Sequence, residues 1–196
     1  MEKRKLVVAS GNAHKIREIS EIFTDFEVIS QKEAGFDEDV EETGVTFAEN
    51  AVIKARACAK ALGLVAVADD SGLCVDALNG APGVYSARYS GMHGNDQANR
   101  DLLLKNLENV TDRRAHFTSA IALVYPDGRA IVAEGHTYGS ILYKETGNGG
   151  FGYDCLFYSD DLKKSFGEAT PEEKNAVSHR FRGLQALLTK WQEAER

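Results

Sequence analysis

The sequence predicts an α/β fold, and three observations carry that reading. Residues 6–9 form an apolar, strand-like run that passes through Ser10-Gly11 into a helical pattern, with Ile16, Ile19, Ile22 and Phe23 on one face. Thr46-Phe47-Ala48-Glu49 has the form of a capping box. The helix it opens reaches about Leu62, stops at Gly63 and gives way to the β-branched run Val65-Ala66-Val67. Farther on, residues 114–125 and 130–138 read as two strands joined by the turn sequence Pro126-Asp127-Gly128-Arg129.

Composition narrows the class. The chain has 196 residues, enough for one domain with a substantial core, and 43% hydrophobic with 27% charged residues suits a globular protein. A formal net charge of −7 disfavours a general nucleic-acid binder, yet leaves room for a small anionic substrate in a local cationic pocket. Cys58, Cys74 and Cys155 are odd in number and far apart, with no C-x-x-C, so neither a disulfide framework nor a zinc ribbon is expected. No stretch reaches transmembrane length, and the N-terminal apolar run is too short for a signal sequence. The expectation is a cytoplasmic protein that engages neither membrane nor nucleic acid.

Taken in order, Ser10-Gly11-Asn12-Ala13-His14-Lys15 is a strand-to-helix turn. Such a turn offers backbone N–H groups to phosphate, Gly11 permits close approach, and Lys15 adds a charge. A plain helix cap with a surface lysine is the alternative. Val28 and Ile29 suggest a short strand. The acid-rich segment Asp37-Glu38-Asp39-Val40-Glu41-Glu42-Thr43-Gly44 would ordinarily be a solvated loop. On the following helix Phe47, Asn50, Lys54, Ala57 and Ala61 share a stripe, so Lys54 either meets an anion or snorkels at the rim of the core.

The strand from Val65 runs into Asp69-Asp70 and then a Ser71-Gly72 turn. Two adjacent acids at a strand end are either solvated or share a divalent cation, and Mg²⁺ often takes only one or two carboxylates plus phosphate oxygens. Asp96 is expected to cap a helix through Leu107, with Leu103, Leu104 and Leu107 inward. Gly147, Gly149 and Gly152 satisfy G-x-G-x-x-G, but the motif precedes an apolar run, Cys155-Leu156-Phe157-Tyr158, instead of opening a helix. Dinucleotide binding is therefore rejected. The same loop presents Phe151 and Tyr153 beside Asp154; Phe151 either stacks on a flat ring or plugs the core. Thr170-Pro171-Glu172-Glu173 starts another helix, and a last one runs to about Trp191 with Leu184, Leu187, Leu188 and Trp191 inward. Ser178-His179 lacks a nucleophile elbow, so a hydrolase triad is set aside. His179 and Arg180 are instead candidate donors to a carbonyl or phosphate, or a surface cap with a salt bridge.

As a set, Ser10 to Lys15, Glu41-Glu42-Thr43-Gly44, Phe47 to Lys54, Ala68 to Leu73, Pro82 to Tyr89, Gly150 to Asp154 and Lys174 to Arg180 resemble the ITP/XTP pyrophosphatase family, the Ham1-like inosine triphosphatases. The resemblance spans nearly the whole chain. It implies an elongated mixed β-sheet flanked by helices, as a single domain (1–196) of two lobes with a central cleft. It also implies a homodimer, a Mg²⁺ requirement, and hydrolysis of ITP, dITP or XTP to the monophosphate and pyrophosphate. Carried over by motif, Ser10, Gly11, Asn12, Ala13, His14 and Lys15 would bind the triphosphate with help from Lys54. Asp70 would be proton acceptor and metal ligand, Glu41 the second metal ligand, and Ser71 a substrate contact. Phe151, Gly152, Tyr153, Asp154, Lys174, His179 and Arg180 would hold the base. One departure is visible: Cys155 stands where the family usually has proline. A nucleotide sensor without turnover, and a phosphohydrolase that releases orthophosphate, are the rival readings.

Overall fold

A computed structural model describes residues 3–196. It has seven strands, β1 (Arg4–Val8), β2 (Phe26–Ser30), β3 (Val65–Val75), β4 (Arg114–Val124), β5 (Ala130–Ile141), β6 (Phe157–Ser159) and β7 (Lys164–Ser165), and five α-helices, α1 (Ala13–Ile22), α2 (Phe47–Leu62), α3 (Asp96–Asn106), α4 (Pro171–Val177) and α5 (His179–Ala194). The strand order is β2-β1-β3-β4-β5-β6-β7. β1 pairs in parallel with β2 and β3, whereas β6 pairs antiparallel with β5 and β7, so the sheet is mixed as expected.

The chain divides into two compact units. One comprises the residues up to Asp70 with Ser119–Gly135 and Arg180–Arg196; the other comprises Ser71–Thr118 and His136–His179.

In the first unit, strand alternation sorts the core. Val67 packs with Ile19 and Phe23 of α1 and with Leu184 and Leu187 of α5. Its neighbours Ala66 and Ala68 pack with Ala51, Ala55, Cys58 and Ala59 of α2. Successive side chains of a strand point to opposite faces, so β3 presents one face to α1 and α5 and the other to α2. The small residues on both sides of the α2 contact let helix and sheet approach closely. Trp191 of α5 closes the opposite layer against Phe26, with ring centroids 5.1 Å apart, and against Phe23 at 6.4 Å.

The ends of α2 follow the sequence closely. Thr46 Oγ1 accepts from the Glu49 N–H, the Glu49 side chain returns to Thr46, and Gly63 stops the helix at φ 65°. α4 repeats the device with Thr170, Glu173 and Pro171. α3 corrects one boundary: Asn95, not Asp96, is the cap, its side chain accepting from Ala98 N. Tyr125 closes the turn before β5, its N–H donating to Arg129 O at 2.9 Å. The second unit is built on Leu73, Val75, Leu103, Leu107, Phe117, Leu156, Phe157 and Phe166.

Candidate active site

β3 does not end at the acids. It runs unbroken from Val65 to Val75, so the expected Ser71-Gly72 turn is absent and Asp69 and Asp70 lie within a strand. Alternation then sends the two carboxylates to opposite faces. Each has its own set of partners.

Asp69 points to the α1 and α5 side and is 5% exposed. Lys15 Nζ stands 2.7 Å from Oδ1, and Arg180 Nε donates to Oδ2 at 3.0 Å. Burial pushes this carboxyl up, but the two cations and their hydrogen bonds outweigh it and hold the group far below the usual carboxylate range. Arg180 also donates through Nη1 to Glu18 Oε2 at 3.2 Å. The guanidinium therefore spends two donors on carboxylates within this unit. The His179 ring instead stacks on Phe117 in the second unit, with centroids 5.1 Å apart and planes 17° apart.

Asp70 points to the α2 side. Asn50 Nδ2 donates to Oδ2 at 3.1 Å, and Lys54 Nζ lies 3.9 Å from Oδ1. Lys54 is bound more tightly elsewhere, to Glu42 Oε1 at 2.7 Å and to the Asp69 carbonyl oxygen at 2.8 Å. Burial raises the Asp70 pKa above its ordinary value. Lys54 and the Asn50 hydrogen bond pull it down; Glu42 and Asp69 push it up. The acid-rich segment thus does reach Asp70, but through Glu42, while Glu41 is exposed.

A pocket of about 260 Å³ adjoins this face, and Ser10, Gly11, Glu38, Asp39, Glu42 and Lys54 are among its walls. The turn after β1 is only partly available to a ligand, because Asn12 caps α1 and takes the N–H groups of His14 at 2.9 Å and Lys15 at 3.4 Å. Gly11 has open space where a Cβ would stand, whereas Ala13 and His14 are exposed.

The glycine loop of the second unit resolves the reading of Phe151. Its ring is 71% exposed, so it does not plug the core. Lys174 Nζ stands 4.5 Å from the ring centroid and is bound to Asp154 Oδ2 at 2.5 Å. Asp154 is buried and also accepts from Phe151 N at 2.9 Å. Tyr153 is buried with its hydroxyl donating to Ser86 O at 2.7 Å, and burial pushes its pKa well up. Gly152 is tied at both ends: its N–H donates to Asp96 Oδ2 at 3.1 Å, and its carbonyl accepts from Arg100 Nη1 at 2.9 Å. The loop is thus a rigid mount for one exposed aromatic ring beside a held ammonium group.

Gly150 makes this mount possible. Its φ is +69°, and a Cβ there would collide with the Asp154 carboxylate. Gly150→Ala is expected to cost about 1–3 kcal/mol and to broaden the Phe151 amide signal, measured by thermal melting and NMR.

A family model described as the Ham1 family matches residues 6–190. The chain belongs to the Ham1 family. Among Ham1 relatives, the dITP/XTP pyrophosphatase of Clostridium perfringens is 52% identical over 194 residues, covering 94% of this chain and 95% of that protein. The dITP/XTP pyrophosphatase of Streptomyces coelicolor is 49% identical over 190 residues, covering 94% and 95%. The Staphylococcus aureus Ham1 protein structure superposes with a TM-score of 0.92 at 45% identity, covering 98% of this chain and 100% of that one.

Within this Ham1 chain, Asn50, Glu42 and Glu18 enter the site without having been singled out from the sequence. The spacing of Asn50 and Lys54, one helical turn apart on the stripe facing β3, was the available signal for the first. No periodic signal exists for Glu42, which sits in an irregular loop, or for Glu18, which reads as an ordinary surface acid of α1.

Proposed function

We propose that this chain is a Mg²⁺-dependent pyrophosphohydrolase that converts ITP, dITP and XTP to the nucleoside monophosphate and pyrophosphate. The observation that carries the reading is the meeting of Asp70, Lys54 and Glu42 on one face of β3, beside a pocket walled by Ser10 and Gly11. The names of the Clostridium and Streptomyces relatives support the substrate class.

The donor set fits Mg²⁺. Among the described residues no group of three His, Cys, Asp or Glu side chains could by itself hold a metal ion. Two carboxylates on one face, Asp70 and Glu42, suit a hard cation that completes its shell with phosphate oxygens and water. Glu42 takes the place in this proposal that Glu41 holds in the motif-based expectation. When bound, Mg²⁺ would neutralise charge on the phosphate oxygens.

The chain's own residues supply the rest. Asp70, held by Asn50, orients a water for attack at the α-phosphorus and accepts its proton. Lys54 exchanges its bond to Glu42 for the leaving pyrophosphate, whose charge it offsets. Ser10 and Gly11 line the phosphate end. Lys15 acts at one remove, by fixing Asp69 and hence the strand that carries Asp70. Ser71 follows Asp70 on β3 as a substrate contact. Selection of the base is assigned to the Phe151 platform, where a flat ring stacks and the Lys174 ammonium, a donor with no acceptor, favours a 6-keto over a 6-amino group. His179 is a second donor in that unit.

The test is a product-resolved screen of ATP, GTP, ITP, dITP and XTP. ITP is expected to yield IMP and pyrophosphate, with release falling to background in excess chelator and returning on addition of Mg²⁺. IDP with orthophosphate, or tight ITP binding without turnover, would overturn the proposal. The homodimer and the cytoplasmic location belong to the same proposal; light scattering at twice the chain mass checks the first.

A further inference from the structure

Asn50 is a polar side chain with 0% exposure, one turn before Lys54 on α2. Its Oδ1 accepts from the Gly44 N–H at 2.8 Å, and its Nδ2 donates to Asp70 Oδ2 at 3.1 Å. These two partners dictate the amide's orientation. Turned over, it would set N–H against N–H and oxygen against a carboxylate. Gly44 is shaped to the contact: a Cβ there would stand 2.6 Å from Asn50 Oδ1 and 2.7 Å from Glu49 Cβ. Glu49 draws in the same stretch, its Oε2 accepting from Val45 N at 2.7 Å and Thr46 N at 3.2 Å.

Lys54 repeats the arrangement one turn later, with Glu42 on the loop side and the Asp69 carbonyl on the strand side. Helix α2 therefore carries two rungs between the acid-rich segment and β3. On the strand side the Asn50 rung hydrogen-bonds the Asp70 carboxylate at 3.1 Å, whereas Lys54 bonds the Asp69 carbonyl and stands 3.9 Å from Asp70 Oδ1.

We propose that Asn50 is a positioning residue for Asp70: it sets the direction of the carboxylate and holds the Glu42-bearing segment at a fixed distance from it. This inference rests on the role given to Asp70 above. An aspartate's terminal torsion is broad, so an unheld carboxylate would sample orientations that do not serve the reaction. With Oδ2 engaged by the amide, Oδ1, which faces Lys54 Nζ at 3.9 Å without a hydrogen bond, is the oxygen left to act.

A double-mutant cycle tests the proposal. Asn50→Ala is expected to lower kcat about 100-fold with KM changed less than about threefold, as for a reacting group displaced by roughly 1 Å. In an Asp70→Asn background the same substitution should cost less than about threefold, because the carboxylate it aims is gone. Equal losses in both backgrounds would overturn it. Asn50→Asp keeps the acceptor for Gly44 but loses the donor. It should lose turnover as Asn50→Ala does while leaving Gly44 amide exchange unchanged, and activity within threefold of wild type would refute the aiming role. NMR without substrate gives a readout independent of turnover. The Asn50 side-chain amide signal should shift in Asp70→Asn, and the Gly44 amide should exchange at least about tenfold faster in Asn50→Ala. Absence of both changes overturns the inference. Absence of pyrophosphate release from wild type would overturn the reaction assignment alone, leaving these NMR signals to judge the Asn50 contact.

Discussion

Asp70→Asn is expected to lower kcat for ITP about 10³-fold or more while leaving the fold intact. The change removes a proton acceptor and a charged oxygen donor together, and general-base losses alone run to about 10²–10⁴. A loss of 10³ corresponds to about 4 kcal/mol of transition-state stabilisation. The fold should survive because asparagine preserves size and still offers an oxygen to Asn50 Nδ2. A melting temperature within about 2 °C of wild type would confirm that only chemistry was lost. Steady-state pyrophosphate release checks the first part, and turnover within tenfold of wild type would remove Asp70 from the reaction.

Asp69→Ala should do the opposite: damage stability first. Asp69 is the common anion for Lys15 and Arg180, and its removal leaves the partly buried Arg180 with Glu18 as its remaining acidic partner among the described residues. Breaking a buried ion pair from one side costs about 3–5 kcal/mol, or roughly 10 °C in a chain of this size. Acid titration gives a sharper form of the test. The folded-state pKa of Asp69 is depressed, so its contribution is fully present above the ordinary carboxylate value near 3.9 and is lost as pH falls from there toward the folded value. The stability gap between wild type and Asp69→Asn should therefore be flat above about pH 4 and narrow below it, by at most about 1.4 kcal/mol per pH unit. Denaturant melts across that range measure it. A gap that stays constant on acidification, or an Asp69→Ala variant that melts with wild type, would show that the buried network does not brace the strand.

Much of the fold was legible because local physics wrote it. The Thr46 capping box and Gly63 bracket α2 residue by residue, and Thr170-Pro171 does the same for the start of α4. The site was legible by residue type but not by geometry. Asp69-Asp70 reads as a loop because two charges seldom sit inside a central strand. What permits them there is a separate set of partners on each face, including Arg180, 111 residues distant in sequence. Which of Glu41 and Glu42 turns toward Lys54 depends on loop conformation, and no hydrophobic period encodes that. Likewise His179 and Arg180, neighbours at the start of α5, look like one pair in the sequence, but the first stacks its ring on Phe117 and the second bonds two carboxylates.

The tryptophan on α5 has a practical consequence. The chain has a single Trp, and its indole packs against Phe23 and Phe26 in the same unit as Asp69 and Asp70. Intrinsic fluorescence excited at the indole band thus reports the packing of the unit that bears the carboxylates. If tyrosine-sensitive and indole-sensitive melts separate on heating, the unit that yields first can be identified without a label.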